Sequence, residues 1–373
     1  MSVSVRDLLI VGAGPSGLAT AIAAKQHGLD CVVVEKGVLV NSIFHFPTHM
    51  VFFTTPELLE IGGLPLVTPF DKPTRLEALR YYRRVVDTFD LDISYHEHVV
   101  AIEREDGVFT VTTEARDAPI GTTSATYVGT GLLQAASPSA DSRPVRRVRR
   151  ARAVVLAVGY YDIPNRLDVP GEDLPHVSHY YTEPHPYYRQ RVVVVGGRNS
   201  AAETALELYR AGARVTLVHR GAALGQSIKY WVRPDIENRL KEGSITGRLG
   251  MQVVEIRPDA VVIEPASPTL LQRLRGPERE EVPADAVFLL TGYRPDADLM
   301  RRAGVRCNEQ TLAPALDQET FETNVPNLFI AGGATAGRNT GSIFIENGRF
   351  HGERIIKVLA GRLAAQGTSK SPI

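Results

Sequence analysis

One pattern constrains this chain more than any other, and the chain carries it twice: strand, Gly-rich turn, helix, strand. Asp7–Val11 is a short apolar strand that runs into GAGPSG, with Gly12, Gly14 and Gly17. A helical stretch Leu18–His27 follows, then a second apolar run, Cys31–Val34, closed by Glu35. The unit recurs as strand Arg191–Val195, turn GGRNSA at 196–201, helix Ala202–Ala211 and strand Val215–Val218, closed by His219 and Arg220. Five residues separate Gly12 from Gly17 and Gly196 from Ala201; 23 separate Gly12 from Glu35 and Gly196 from His219. One Gly-rich turn is weak evidence, but two with matching spacings between the correct elements are strong.

In such a unit the first Gly permits the tight turn, the second lets backbone approach a pyrophosphate, and the third, or Ala201, lets helix pack on strand. The helix N-terminus then offers free N–H groups and a positive dipole end to phosphates. The turns nominate Gly12, Gly14, Pro15, Ser16 and Gly17 for one dinucleotide, and Gly196, Gly197, Arg198, Asn199 and Ser200 for another. Arg198 breaks the pattern by standing where the second Gly belongs. Its side chain either crowds the pyrophosphate or points outward and adds positive charge beside it.

The strand ends separate the two ligands. A carboxylate at Glu35 accepts hydrogen bonds from ribose hydroxyls and repels a 2′-phosphate, so the first unit wants FAD or NAD. The second unit ends in His219 and Arg220, and the guanidinium fork suits a phosphate, favouring NADPH. The plainer reading of Arg220 is a surface strand end. A nicotinamide delivers a hydride and a flavin accepts it, so FAD in the first unit and NADPH in the second form a working pair. Further candidates for FAD are Lys36, Phe46, Thr48, Val99, Gly159, Gly332, Gly333 and Ile343; Gly292 joins the NADPH set.

Three more apolar strands, 151–160, 286–293 and 327–333, each end in small residues, and a helix is expected at about 343–362. The expected fold class is α/β, with two Rossmann-like dinucleotide-binding domains. The FAD domain is discontinuous, 1–165 and 285–373, and the NADPH domain, 166–284, is inserted in it. The stretch 115–142, rich in Gly, Thr, Ser and Ala, reads as β-ribbon and loop. Arg143–Arg152 holds six arginines and reads as a solvated edge strand.

Composition closes off other classes. Lys+Arg and Asp+Glu both number 42, which argues against a nucleic-acid binder working through a global basic field. The two cysteines, Cys31 and Cys307, exclude a disulfide scaffold, a four-cysteine zinc site and a C-x-x-C redox pair. No apolar run reaches the roughly 18 residues of a membrane span, and the N-terminus reads as strand and helix, not as a signal peptide. A cytoplasmic enzyme without metal or membrane is expected.

Three longer segments carry a specific likeness: FHFPTHMVFFTTPELLEIGGLP at 44–65, IKYWVRPDIENRLKEGSI at 228–245 and GSIFIENGRFHG at 341–352. With the tandem units, they resemble the bacillithiol disulfide reductase family, within the thioredoxin-reductase-like group, over nearly the whole chain except about 115–142. The resemblance implies NADPH-dependent reduction of a disulfide, bound FAD and a homo-oligomer. It also implies a cysteine after the Pro of the first turn, where this chain has Ser16. A cysteine at that helix mouth would have a depressed pKa and attack a disulfide; a serine hydroxyl does neither. Cys31 reads as a small core residue and Cys307 as an incidental thiol in a connection. Other catalytic candidates are His45, between two phenylalanines, and His351 on the C-terminal helix, each with a packing alternative.

Two rival enzymes remain open. GEDLPHVSHY at 171–180, ahead of the second turn, resembles the corresponding linker of flavin-dependent monooxygenases. A ferredoxin- or flavodoxin-type NADP reductase also works without cysteines, and the arginine run could dock its acidic protein partner. A flavin-bearing redox sensor is the non-enzymatic rival.

Overall fold

A computed structural model describes residues 4–115, 144–267 and 278–368. The chain divides into two compact units, 1–163 with 293–373, and 164–292.

The first unit is built on a parallel core. Strand β1 (Val5–Val11) leads through the first Gly-rich turn into helix α1 (Pro15–Gln26) and strand β2 (Cys31–Val34). A short strand β3 (Ile93–Ser94) and an antiparallel pair, β4 (Glu97–Glu105) and β5 (Val108–Ala115), follow. Strand β6 (Val145–Leu156) then runs for 12 residues. The order across the sheet is β3-β2-β1-β6-β5-β4. Leu8, Leu9, Ile10, Val154, Val155 and Leu156 have no exposed area. Parallel strands covered on both faces read as such unbroken apolar runs.

Strand β6 is the spine of this sheet. One edge pairs in parallel with β1, from Val5↔Arg150 to Val11↔Leu156. The other edge is shared: its first half is antiparallel to β5, from Ala115↔Val145 to Phe109↔Ala151, and its last residues pair in parallel with strand Leu328–Ile330. The arginine run therefore lies inside the sheet, which corrects the edge-strand expectation. Arg146, Arg147, Arg150 and Arg152 keep exposed side chains, and Arg147 and Arg149 share one buried carboxylate. The Glu97 side chain has no exposed area, and it accepts hydrogen bonds from Arg149 Nε at 2.7 Å, Arg147 at 3.2 Å and the Thr113 hydroxyl at 2.5 Å. Arg143 and nearly all of the expected ribbon at 115–142 lie outside the described residues.

The second unit repeats the plan. Its sheet contains strands Arg191–Val195, Arg214–His219, Thr246–Leu249 and Ala286–Leu289, all parallel, plus the two-residue strand Val177–Ser178. A three-stranded antiparallel sheet (Met251–Ile256, Ala260–Pro265, Glu280–Pro283) accompanies it. Ala286–Leu289 pairs with Arg191–Val195, so these residues belong to the second unit. The expected return to the first domain at 285 is thereby corrected: the chain crosses back only after Gly292. The expected helix at 343–362 is also corrected. It breaks into Ile345–Gly348 and His351–Thr368. Gly352 lets the second piece pack on α1, since a Cβ there would stand 2.6 Å from Thr20 Cα.

Among the described residues, no helix is long and apolar enough to cross a membrane, and no group of His, Cys, Asp and Glu could hold a metal.

The Glu97 cluster makes a pH prediction. Burial opposes ionisation of Glu97, but hydrogen bonds from Arg149 and Thr113 and the two guanidinium charges outweigh it and hold the carboxyl below its usual range. A depressed carboxyl pKa adds stability above the unfolded value, lost as pH falls through the folded value. Glu97→Ala removes the anion shared by two partly exposed arginines and should cost about 1.5–3 kcal/mol, the range of a charge-assisted hydrogen bond. Denaturant midpoints of wild type and variant should differ at neutral pH and converge at acid pH; a pH-independent difference would contradict this account.

Candidate functional site

The first turn has the shape the glycine spacing demands. Gly12 sits at φ +106°, and a Cβ there would stand 2.5 Å from the Ala157 carbonyl oxygen. A Cβ on Gly17 would stand 1.9 Å from the Gly12 oxygen, so helix α1 leaves the strand with backbone on backbone. At Gly14 nothing lies within 4 Å, so this is the open side where a ligand's backbone contact belongs. Pro15 opens α1 and no side chain caps the helix, which leaves its early N–H groups to face a ligand. An anionic pyrophosphate fits this cradle.

Glu35 closes the cradle from beneath. Its carboxylate accepts the Ala13 N–H at 2.7 Å and the Gly37 N–H at 2.8 Å, and the residue is 5% exposed. Burial raises its pKa and these two amides oppose the rise. One amide on each oxygen leaves further lone pairs for two ribose hydroxyls. Beside it, Lys36 is engaged with Asp162 at 2.8 Å.

The two ends of the chain meet at Ser16. A Cβ on Gly332, at φ +74°, would stand 2.5 Å from Ser16 Oγ, and one on Gly348 3.2 Å from it. Two glycines thus wall the niche that holds this hydroxyl. Gly333 lies against the Tyr160 ring, with Ile343 O just beyond. At Gly159, two residues beyond the Ala157 that touches Gly12 and Gly17, a Cβ would meet nothing within 4 Å. Ser16, Gly332, Gly333 and Ile343, far apart in sequence, come together beside the turn.

Other expected residues are placed differently. His351 faces no open surface: its ring stacks on Phe321 at 4.0 Å, and its Nδ1 accepts the Gly332 N–H at 3.2 Å. Burial, with Arg354 nearby, pushes its pKa down to about 4. Its ring packs and holds Gly332 in place, the packing alternative read from the sequence. His45 is exposed, with Nδ1 2.8 Å from Asn41 O. Phe46 packs edge-on against Tyr161 at 4.9 Å, and Tyr161 lies 4.5 Å from Tyr293. Thr48 is exposed, and Val99 turns its side chain into the core, leaving only its main chain for a ligand. Both thiols are raised by burial, Cys31 to about 11.

The second turn solves the same problem with different side chains. Gly196, at φ +154°, lies against Leu290 O and the Ala201 methyl, where a Cβ would come within 2.6 and 2.8 Å. Gly197 is roofed by His219, whose ring atoms lie 2.3–2.5 Å from where a Cβ would stand. Arg198 and Arg220 are exposed, and so is Ser200. Helix Asn199–Arg210 has no side-chain cap, so its N-terminus also faces outward unsatisfied. A dinucleotide fits, with Arg198 pointing outward. Gly292, at φ +90°, accepts the Asn165 N–H at 2.9 Å. Asn199 departs from expectation, because its amide is bonded to Ser227 O and Lys229 N.

Sequence reasoning gave no role to Glu97 or Tyr160, and drew only a family likeness from the segment that carries Lys229, Tyr230 and Trp231.

Comparison with known proteins agrees with this geometry. The family described as pyridine nucleotide-disulphide oxidoreductase matches residues 9–133 and 145–332. Bacilliredoxin reductase Bdr of Bacillus subtilis (strain 168) is 40% identical over 354 residues, 95% of this chain and 97% of that protein. The solved structure of bacillithiol disulfide reductase Bdr (YpdA) from Bacillus cereus has a TM-score of 0.85 at 38% identity, covering 96% of this chain and all of that one. Thioredoxin reductase from T. acidophilum shares the fold, with a TM-score of 0.69 at 18% identity and coverage of 96% and 99%. The chain belongs to the pyridine nucleotide-disulphide oxidoreductase family, on its bacillithiol disulfide reductase branch, and is an oxidoreductase of thioredoxin-reductase-like fold that uses FAD and NADPH.

Proposed function

We propose that this chain reduces a disulfide of the bacillithiol class, with FAD held by the first unit and NADPH by the second. The observation that carries the reading is the whole-length likeness to two Bdr proteins, set on two cradles whose strand ends differ. The balance is one disulfide, one NADPH and one proton giving two thiols and NADP⁺. FAD, when bound, supplies the acceptor for the hydride and the donor for the disulfide.

The chain's own residues bind and orient. The open face of Gly14 and the start of α1 hold the FAD pyrophosphate, and Glu35 holds the ribose. The N-terminus of helix Asn199–Arg210 holds the NADPH pyrophosphate, and Arg220 takes its 2′-phosphate. With serine at residue 16 and both cysteines raised by burial, the chain offers no thiolate to the substrate, and no mixed disulfide forms between them. The likeness also supports a cytoplasmic homo-oligomer as part of this reading.

Glu35→Arg removes the ribose acceptor and puts a cation on two amides, so the purified variant should lose the visible flavin absorbance of the wild type. A fully yellow variant would reject the FAD assignment.

Arg220→Ala should lower kcat/KM for NADPH about 10- to 150-fold, the effect of losing about 1.5–3 kcal/mol from one charge-assisted contact, with little change for NADH. A wild type that prefers NADH would refute the strand-end argument.

Ser16→Cys tests the missing thiol. The exchange is nearly isosteric, the two glycines that wall the niche carry no side chain toward residue 16, and the helix N-terminus favours thiolate. Disulfide turnover should rise while flavin reduction by NADPH is unchanged. If both variants ignore disulfides yet turn over quickly with ferredoxin, the disulfide reading gives way to an NADP reductase.

A further inference from the structure

The Glu35 carboxylate is tied to the Gly-rich turn by the Ala13 and Gly37 amides. Its main chain is held by other residues. The Glu35 N–H donates to Ser94 O at 2.8 Å, and the Glu35 carbonyl accepts the Glu97 N–H at 2.9 Å. Ser94 ends β3 and Glu97 begins β4, so the bend between the two strands grips both main-chain groups of Glu35. The His96 N–H adds a third bond, to Gly37 O at 3.2 Å.

The bend does not hold this shape by itself. His96 sits at φ +54°, in the left-handed region that residues other than glycine seldom enter. Tyr95 and His96 are both exposed, so core packing holds neither. One side chain joins the two ends of the bend. Arg149, on β6, donates through Nε to Glu97 Oε1 at 2.7 Å, and through Nη2 to Glu97 Oε2 at 2.9 Å and Ser94 Oγ at 2.8 Å. The two residues that hold the Glu35 main chain are therefore the two whose side chains Arg149 holds. Arg147 reaches the same carboxylate through Nη1, at 3.2 Å. Neutralising Glu97 does not require the bond to Ser94, so that bond serves the bend. A planar guanidinium fork spans two such acceptors, whereas a lysine ammonium is a point charge on a flexible stem.

We propose that Arg149 is a positioning residue for FAD: through Ser94 and Glu97 it fixes the Glu35 main chain, and with it the place where the carboxylate meets the ribose hydroxyls. This rests on the reading that Glu35 holds the FAD ribose. Hydrogen bonds weaken steeply when misaligned, and a carboxylate already anchored at both oxygens has little freedom to follow a displaced ribose.

Release of FAD from the purified holoprotein, followed as the rise of free-flavin fluorescence on dilution, reads the site without turnover. Arg149→Lys keeps the charge and loses the fork, and should raise the FAD dissociation constant about 10-fold, the effect of one charge-assisted hydrogen bond. Ser94→Ala removes one acceptor of the bridge and should raise it about threefold, the effect of a weaker hydrogen bond. Arg147→Lys disturbs the same buried carboxylate and should leave FAD retention at the wild-type level. In a Glu35→Gln background neither Arg149→Lys nor Ser94→Ala should add to the loss, because each acts through Glu35. Losses that add in full, or an Arg147→Lys variant that releases FAD as readily as Arg149→Lys, would mean that Arg149 only braces the sheet, and would overturn the inference. Should Arg149→Lys fail to fold, Ser94→Ala carries the same comparison. If Glu35→Gln loosens FAD while Arg149→Lys and Ser94→Ala do not, the inference alone fails. If Glu35→Gln retains FAD as the wild type does, the assignment of Glu35 to the ribose falls with it.

Discussion

The contact on which the first unit depends is backbone against backbone: the start of α1 lies so close to the end of β1 that a single methyl at Gly17 would stand 1.9 Å from the Gly12 oxygen. No side chain mediates it and none can be admitted. The closeness aims the helix N-terminus at the space above the strands, where an anion gains both free N–H groups and the dipole. The remaining parts of the site are arranged around that constraint. Ala157 closes behind Gly12, Glu35 locks the Ala13 and Gly37 amides, and Gly332 and Gly348 press on Ser16.

The support for this turn comes from a distance. Strand β6 places Ala157 against Gly12, and the same strand, nearer its start, carries the arginines that neutralise Glu97. Glu97 in turn donates its N–H to the Glu35 carbonyl at 2.9 Å. A buried ion pair is weak evidence for stability by itself, because desolvation offsets the Coulomb gain. Here it explains something narrower: how a run of arginines enters a sheet next to the ribose-binding strand end.

The second unit meets the same backbone requirement with one carbon more. Ala201 replaces the third Gly, and Gly196 lies against its methyl. His219 then covers Gly197, and burial together with Arg220 lowers the imidazole pKa. Arg198 and Arg220 stay exposed outside the turn.

Much of this was legible in the sequence, because it depends on short-range geometry. Glycine spacing encodes turn sterics, the apolar runs encode buried parallel strands, and the residue that ends the second strand encodes ribose chemistry. The two repeated units followed from these alone, and the proposal that their nucleotides differ was read from the same residues. Tertiary structure decided what depends on residues far apart in the chain. The arginine strand could be read as an edge, because its neighbours on both sides and Glu97, the carboxylate that Arg147 and Arg149 share, lie far off in the chain; its arginines are nonetheless mostly exposed, as the sequence suggested. His351 left two readings, proton donor and packed ring, until Phe321 and Gly332 were seen to occupy it. The strand Ala286–Leu289 could be assigned to either domain until its pairing with Arg191–Val195 was known. Asn199 could be read as a phosphate ligand until Ser227 and Lys229 were found on its amide. Local sterics are written in neighbouring residues, whereas pairing partners are chosen by the fold.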